Sequence, residues 1–400
     1  METSVALAIL PELIEPKDGS KFANNRPTFR WKAPAVASPF VVEVCADPAF
    51  PENSMSSHEV DDVECTLDAP LAPGTYHWRV RLKPSTQCPE AWTFEEQAPA
   101  AADTTGPVLN VREQFMEIGV VFPQSEIGSD PAVIKDFAQA AESLGYSHLL
   151  VYDHVLGAHP DREPRLTGPY THETQFHEPF VLLGYIAAHT QRLGLVTGVI
   201  ILPQRQTALV AKQAAEVDIL SGGRLRLGVG TGWNYVEYDS LNENFHDRGK
   251  RQEEQVEVLR KLWSEPLVDY TGKWHRIDRA SINPLPGRRI PIWFGGGDER
   301  VLERAARLGD GMIPLFAPND AGKAALERLW GHLAANGRER SSFGLEAQVT
   351  FGAGPDKWAA HAEAWRELGA NYVCVRTMNS GLATPRDHIE ALRQYKAEVG

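Results

Sequence analysis

The chain has 400 residues, more than one ordinary domain holds, so two units are expected. With 42% hydrophobic and 23% charged residues it can bury a large core, which excludes global disorder, and a formal net charge of -13 argues against nucleic acid or an anionic membrane as partner. No apolar run approaches the roughly 20 residues that span a bilayer. Val5 to Leu10 is short, with no Lys or Arg before it, so a signal peptide is not expected either. A cytoplasmic protein with a small-molecule ligand is the resulting expectation. Cys45, Cys65, Cys88 and Cys374 show no C-x-x-C spacing and read as reduced thiols.

Residues 12 to about 97 read as all-β. Tyr76, Trp78, Val80 and Leu82 alternate with polar neighbours, the period of a strand covered on one face. Thr28 to Trp31 and Phe40 to Val44 predict further strands, and this spacing suggests a small sandwich. Pro27 and Trp31, Gly74 to Val80, and Trp92 with Phe94 together resemble a fibronectin type III domain. A linker rich in Ala, Pro and Thr, Gln97 to Asn110, closes the first domain, 1–110, and a second follows, 111–400.

From Met116 strand and helix signals alternate to the end. Met116 to Phe122 is a strand; Asp130 caps a helix with Pro131 at its first position, whose apolar face is Ile134, Phe137, Ala138, Ala141 and Leu144. Leu149 to Tyr152 is the second strand, and a loop from Asp153 to His177 leads to a helix from Pro179 to about His189. Leu193 to Leu202 is nearly continuous in apolar residues, as buried parallel strands are. A helix through Leu209 and Leu220 stops at Ser221-Gly222-Gly223, and Leu225 to Val229 is strand four. A 17-residue loop to His246 and a helix from Asp247 to Trp263 come next, then an insertion with a hairpin around Thr271-Gly272. Ile290 to Phe294, Gly311 to Ile313, Phe343 to Val349 and Tyr372 to Val375 complete the strands, each followed by a helix. Eight repeats over roughly 285 residues favour a closed (β/α)8 TIM barrel over an open doubly wound sheet.

Ligands of such barrels sit at the carboxyl ends of the strands. Gly228-Val229-Gly230-Thr231-Gly232 misplaces the third glycine of a dinucleotide fingerprint and opens no helix, but offers a bare backbone to a flat ring. Gly295-Gly296-Gly297 leaves strand five and starts a helix near Asp298, a place suited to phosphate. Asp153-His154 ends strand two, where a histidine could exchange a proton near neutral pH and a neighbouring carboxylate could orient it. His172, His177 and Glu178 lack the spacing of a ligand pair, so no metal is expected. Asp218 with Arg224 reads as a structural ion pair, and Arg248, Arg251 and Glu254 as structural residues of a helix start.

Taken in order, Ile118 to Pro123, Ala141 to Gly145, Tyr152-Asp153-His154, Leu202 to Arg205, Asp218 to Arg224, Gly228 to Trp233, Arg248 to Arg251, Pro291 to Gly296 and Arg304 to Gly311 resemble the bacterial luciferase-like monooxygenases and coenzyme F420-dependent oxidoreductases. The resemblance covers nearly all of residues 116 to 400 and leaves the first domain outside it. It implies a barrel holding FMN, reduced by a separate flavin reductase, or coenzyme F420. It places Asp153 and His154 beside the reactive ring as catalytic residues, and Thr197, Gly198 and Val199 under its face. Gly230, Thr231, Gly232 and Trp233 would lie near the ring or its chain, and Gly295, Gly296 and Gly297 would receive the phosphate. It also implies a non-proline cis peptide at Gly198-Val199. A monooxygenase acting on a small organic or carrier-bound substrate is the first expectation, hydride transfer by F420 without oxygen the second, and a homodimer is expected. An inactive barrel serving as a binding scaffold is the reading from a different class.

Overall fold

The computed structural model describes residues 116–399 and, before them, residues 12–15, 20–22, 28–32, 40–47, 50, 56–60, 64–66, 74–82 and 92–96. It divides into two compact units, Met1–Asn110 and Val111–Gly400. Val5 to Leu10, Cys88 and the linker Gln97 to Asn110 lie outside the described residues. Among the described residues no helix is long and apolar enough to cross a membrane.

The first unit contains two sheets. Glu12–Glu15, Thr28–Lys32 and Glu64–Thr66 form one; Ser20–Phe22, Trp92–Glu96, Gly74–Leu82, Phe40–Cys45 and Ser56–Val60, in that spatial order, form the other. Phe29 and Trp31 of the first sheet share a core with Phe40, Val42, Val44, Trp78 and Val80 of the second. The Phe29 and Trp78 ring centroids are 5.0 Å apart. Period-two alternation at Trp78 and Val80 thus delivers its apolar face to an inter-sheet core.

In the second unit the barrel strands are β1 (Glu117–Val121), β2 (His148–Val151), β3 (Gly194–Thr197), β4 (Leu225–Gly230), β5 (Ile292–Gly296), β6 (Gly311–Pro314), β7 (Gly344–Thr350) and β8 (Tyr372–Arg376). All pair in parallel, β8 closes onto β1, and β3 pairs β4 through Leu195 with Leu225 and Val196 with Arg226. The sheet is therefore a closed eight-stranded barrel, not an open one. Around it run α1 (Pro131–Ser143), α2 (Pro179–His189), α3 (Thr207–Leu220), α4 (Tyr235–Ser240), α5 (Arg248–Ser264), α6 (Glu299–Leu308), α7 (Asp320–Ala335), α8 (Pro355–Glu367) and α9 (Pro385–Val399).

Local chemistry sets the ends of these elements. Asp130 caps α1 by accepting from the Ala132 amide at 2.9 Å, and Gly222 and Gly223 turn the chain out of α3 at φ of 72° and 85°. The hairpin Val268–Thr271 with Arg276–Ala280 is held by Glu254, which accepts from the amides of Lys273, Trp274 and His275 at 2.8 Å each. Glu254 is structural, as is Arg251, paired with Glu243 and Asp247. Asp218 and Arg224 do not pair with each other, contrary to expectation. Asp218 takes Arg288 and the Leu225 amide, while Arg224 donates to the carbonyls of Ser221, Leu193, Ala187 and Thr190. A half-buried guanidinium among such carbonyls satisfies orphaned acceptors without needing an acid.

Inside the barrel, side chains stack in layers. At the amino-terminal end His148 Nε2 lies 2.8 Å from Glu346 Oε1, the Cys374 thiol donates to the same oxygen at 3.1 Å, and Arg226 pairs with Oε2. Gly119 makes room for this cluster: a Cβ there would stand 2.3 Å from the His148 ring. Burial alone would raise the Glu346 carboxyl, but Arg226 and His148 outweigh it and hold it down to about 2. One step up lie Val121, Leu150, Val196, Trp293 and Ile313, all buried. Two residues further along their strands, Tyr152 and Gln348 meet, the phenol donating at 2.6 Å, and Arg376 follows Cys374 onto the same inner face.

Candidate functional site

Strand three is not the single run that its apolar composition predicts. It stops at Thr197, the Gly198–Val199 peptide is cis, and Ile200–Ile201 then pairs with the end of β4. This detour pushes the Val199 side chain against its neighbours at the barrel mouth. A Cβ on Gly230 would stand 2.4 Å from one Val199 methyl and a Cβ on Gly295 2.6 Å from the other, so both glycines are first of all room for Val199. Gly296 needs glycine for its φ of 147°, and a Cβ on Gly297 would sit 3.0 Å from Phe316. Thr197 is fully buried with its hydroxyl donating to the Gly228 carbonyl at 2.8 Å, so it offers the mouth no free polar atom. Gly198 and Val199 do reach it, as do Thr231, Gly232, Trp233 and Gly295 to Gly297, all partly exposed.

Asp153 and His154 are adjacent in sequence but do different work. The Asp153 carboxylate is buried and fully engaged, accepting from the Ile201 amide at 2.9 Å and from Arg205 at 2.8 Å. It ties the end of β2 to the segment after Val199 and does not orient His154. That task falls to Glu237 on the short helix α4, whose Oε1 lies 3.0 Å from His154 Nδ1 and also accepts from the Val155 amide at 3.1 Å. Its Oε2 accepts from Gln204 at 2.9 Å. Burial pushes the Glu237 carboxyl up, but the bonds from His154 and Gln204 outweigh it and hold the group below the usual carboxylate range. An ionised Glu237 fixes the proton of a neutral imidazole on Nδ1 and turns the Nε2 lone pair outward.

The exposed edge of His154 faces aromatic rings: Phe176 at 4.8 Å between centroids, Tyr170 at 4.9 Å and Trp233 at 5.6 Å. Trp233 in turn presses on Gly168, where a Cβ would lie 2.0 Å from the indole. His154 stands between two cavities. One, about 360 Å³, is lined by Tyr170, His172, Phe176 and Asn234; the other, about 520 Å³, by Gln204, Arg205, Val181 and Leu209. At the start of α6 the amides of Glu299 and Arg300 have no carbonyl partner among the described residues. The Glu299 side chain is drawn away to Arg328 at 2.7 Å and His332 at 2.6 Å, and the Asp298 side chain does not cap the turn, so its first amides stay free.

Residues 116–398 match the model of the Luciferase-like monooxygenase family. The chain belongs to that family. Among its relatives are an F420-dependent glucose-6-phosphate dehydrogenase of Segniliparus rotundus and an FMNH(2)-dependent dimethylsulfone monooxygenase of Pseudomonas fluorescens. The first is 32% identical over 197 residues, 46% of this chain and 53% of that protein. The second is 30% identical over 205 residues, 50% of this chain and 53% of that protein. The matches thus span about half the length of these relatives. An F420-dependent secondary alcohol dehydrogenase solved with an F420-acetone adduct shares the fold: TM-score 0.58, 17% identity, 71% of this chain and 98% of that one.

In this luciferase-like barrel, sequence reading singles out His154 and the glycine rims but assigns no role to Glu237, Gln204, Tyr170 or Phe176, which the structure brings around His154. One signal was available. Asn234 followed three residues later by Glu237 is a helix-start pattern, and Asn234 does cap α4, accepting from the Val236 amide at 3.1 Å. The supposed loop to His246 therefore contains the helix that carries the partner of His154.

Proposed function

We propose that this protein is a two-electron oxidoreductase that takes a hydride from an alcohol carbon onto a deazaflavin of the F420 type, with His154 accepting the hydroxyl proton. The single observation behind this is His154, held by Glu237 through Nδ1 and lining a partly aromatic pocket. Alcohol oxidation needs a base at that place, whereas oxygen insertion does not. Reduced FMN, supplied by a reductase for oxygenation of a small organic or carrier-bound substrate, is the second reading; the relationship to a monooxygenase of that cofactor favours it.

The residues at the mouth fit either group. Gly198, Val199 and Thr231 to Trp233 offer a flat, partly exposed rim, and the free amides opening α6 beside Gly295 to Gly297 suit the phosphate. When bound, such a cofactor supplies the hydride acceptor, or with dioxygen the oxygenating chemistry. The protein does the rest: Tyr170, Phe176 and Trp233 keep water from the His154 edge, and Glu237 stabilises the imidazolium after proton transfer. Asp153 is a positioning residue through Arg205 and Ile201. The inactive-scaffold reading loses ground to this arrangement. The first unit, read as a fibronectin type III-like domain of residues 1–110, and a cytoplasmic homodimer complete the proposal.

The test is anaerobic F420 reduction with a panel of primary and secondary alcohols, on wild type and His154→Asn. The variant should lose roughly 100-fold or more in kcat while its Kd for F420 stays put. Equal turnover by the variant, or turnover only with reduced FMN and dioxygen, would overturn the first reading.

A further inference from the structure

The inner face of β8 ends in Arg376, which the proposed chemistry leaves unused. Tyr372 and Cys374 lie on the same inner face, packed with Trp293 and Leu150, so Arg376 continues that face to the mouth, level with Thr350 of β7 and Val121 of β1. It is half-buried and has no carboxylate partner among the described residues. The acids near the mouth have other partners: Asp153 and Glu178 pair with Arg205, Glu237 with His154, and Glu126 accepts from the Asn379 amide at 2.8 Å. The residues closest in character are phenols. The Tyr152 phenol reaches the neighbouring strand β7, donating to Gln348 at 2.6 Å, two residues before the Thr350 that pairs with Arg376. Burial pushes the Tyr152 and Tyr170 hydroxyls up, and the Arg376 charge pulls against that in both. Tyr170 is also the ring that lies 4.9 Å from His154.

A guanidinium cannot shed its proton here, and leaving it partly desolvated without a counter-charge is costly. A planar fork of donors at the floor of a mouth matches a carboxylate or phosphate. The glycine rims of β3, β4 and β5 lie across the barrel from β8, so the cofactor placement above leaves the β8 side to the substrate. Resting on that reading, we propose that the substrate is an alcohol carrying an anionic group, and that Arg376 receives the anion while His154 faces the hydroxyl.

Two matched pairs of probes test this on the full chain: 3-hydroxybutyrate against 1,3-butanediol, and glycerol 3-phosphate against glycerol, with binding followed by ligand-observed NMR. In the wild type at least one anion should bind about tenfold tighter than its neutral partner, and which one does so separates carboxylate from phosphate. Arg376→Gln should abolish the preference and Arg376→Lys keep part of it, with FMN and F420 affinities within about twofold of wild type. Far-UV melting of both variants controls for folding. Equal binding of charged and neutral probes by the wild type overturns the proposal, as does a preference that survives in Arg376→Gln. So does a loss confined to cofactor affinity, which would assign the guanidinium to the ring. If the wild type binds neither cofactor yet loses its anion preference in Arg376→Gln, the functional reading fails and the anion site stands.

Discussion

Val199 lies between Gly230 and Gly295, and the account of the mouth depends on that packing being tight. Consider Gly295→Ala. Gly295 does not occupy the left-handed region, so an alanine there meets no backbone penalty, and its cost is steric. The new Cβ would stand 2.6 Å and 3.2 Å from the two Val199 methyls, well inside contact distance, and forcing such an overlap costs about 2 kcal/mol. In the Val199→Ala background both methyls are gone and the nearest remaining Val199 atom is its Cβ at 3.5 Å, an ordinary contact. The same substitution should then cost less than about 0.5 kcal/mol, giving a coupling near 1.5 kcal/mol in a double-mutant cycle. Gly230→Ala should behave alike, because its Cβ would lie 2.4 Å from a Val199 methyl and 3.6 Å from the Val199 Cβ. The described helices all belong to the second unit, so loss of their far-UV signal during chemical denaturation follows unfolding of the barrel. If Gly295→Ala costs the same in both backgrounds, Val199 is not what the glycine makes room for.

Other expectations concern the buried acids. Glu346→Gln leaves Arg226 buried beside a neutral amide and should destabilise by about 3 kcal/mol in denaturant titrations; a loss under 1 kcal/mol would mean that Arg226 relaxes to solvent. Because the folded Glu346 pKa is depressed from 4.5 to about 2, its contribution is full above pH 4.5 and drains away as pH falls toward 2. The wild type should therefore lose stability across that window more steeply than Glu346→Gln, and parallel curves would contradict the assignment. In Glu237→Gln the amide nitrogen would face the Gln204 donor, which should cost about 1 to 3 kcal/mol and lower kcat without changing cofactor affinity. Glu254→Ala should speed hydrogen exchange at the Lys273, Trp274 and His275 amides, and unchanged protection there would show that the hairpin holds without it.

Where burial alone decides, the sequence reads well. Near-continuous apolar strands, the Asp130-Pro131 helix start and the Ser221-Gly222-Gly223 stop all encode local physics, and eight such repeats made closure the natural reading. What was not legible depends on partners far apart in the chain. Leu193 to Leu202 is apolar throughout, and nothing in that composition marks a break at Gly198-Val199. Asp153 looks like the natural companion of His154, yet adjacent residues near a strand end point to opposite sides, so Asp153 turns to Arg205 while Glu237, 83 positions downstream, supplies the carboxylate. The glycines of β4 and β5 were visible, but the side chain filling the space above them was not.

The most direct test is a structure of the full chain soaked separately with F420 and with FMN. One of them should lie across Gly198, Val199 and Thr231 to Trp233, with its phosphate on the amides of Glu299 and Arg300 and its reactive ring within reach of His154 Nε2. A cofactor bound with its phosphate elsewhere, or a mouth that admits neither, would contradict this placement.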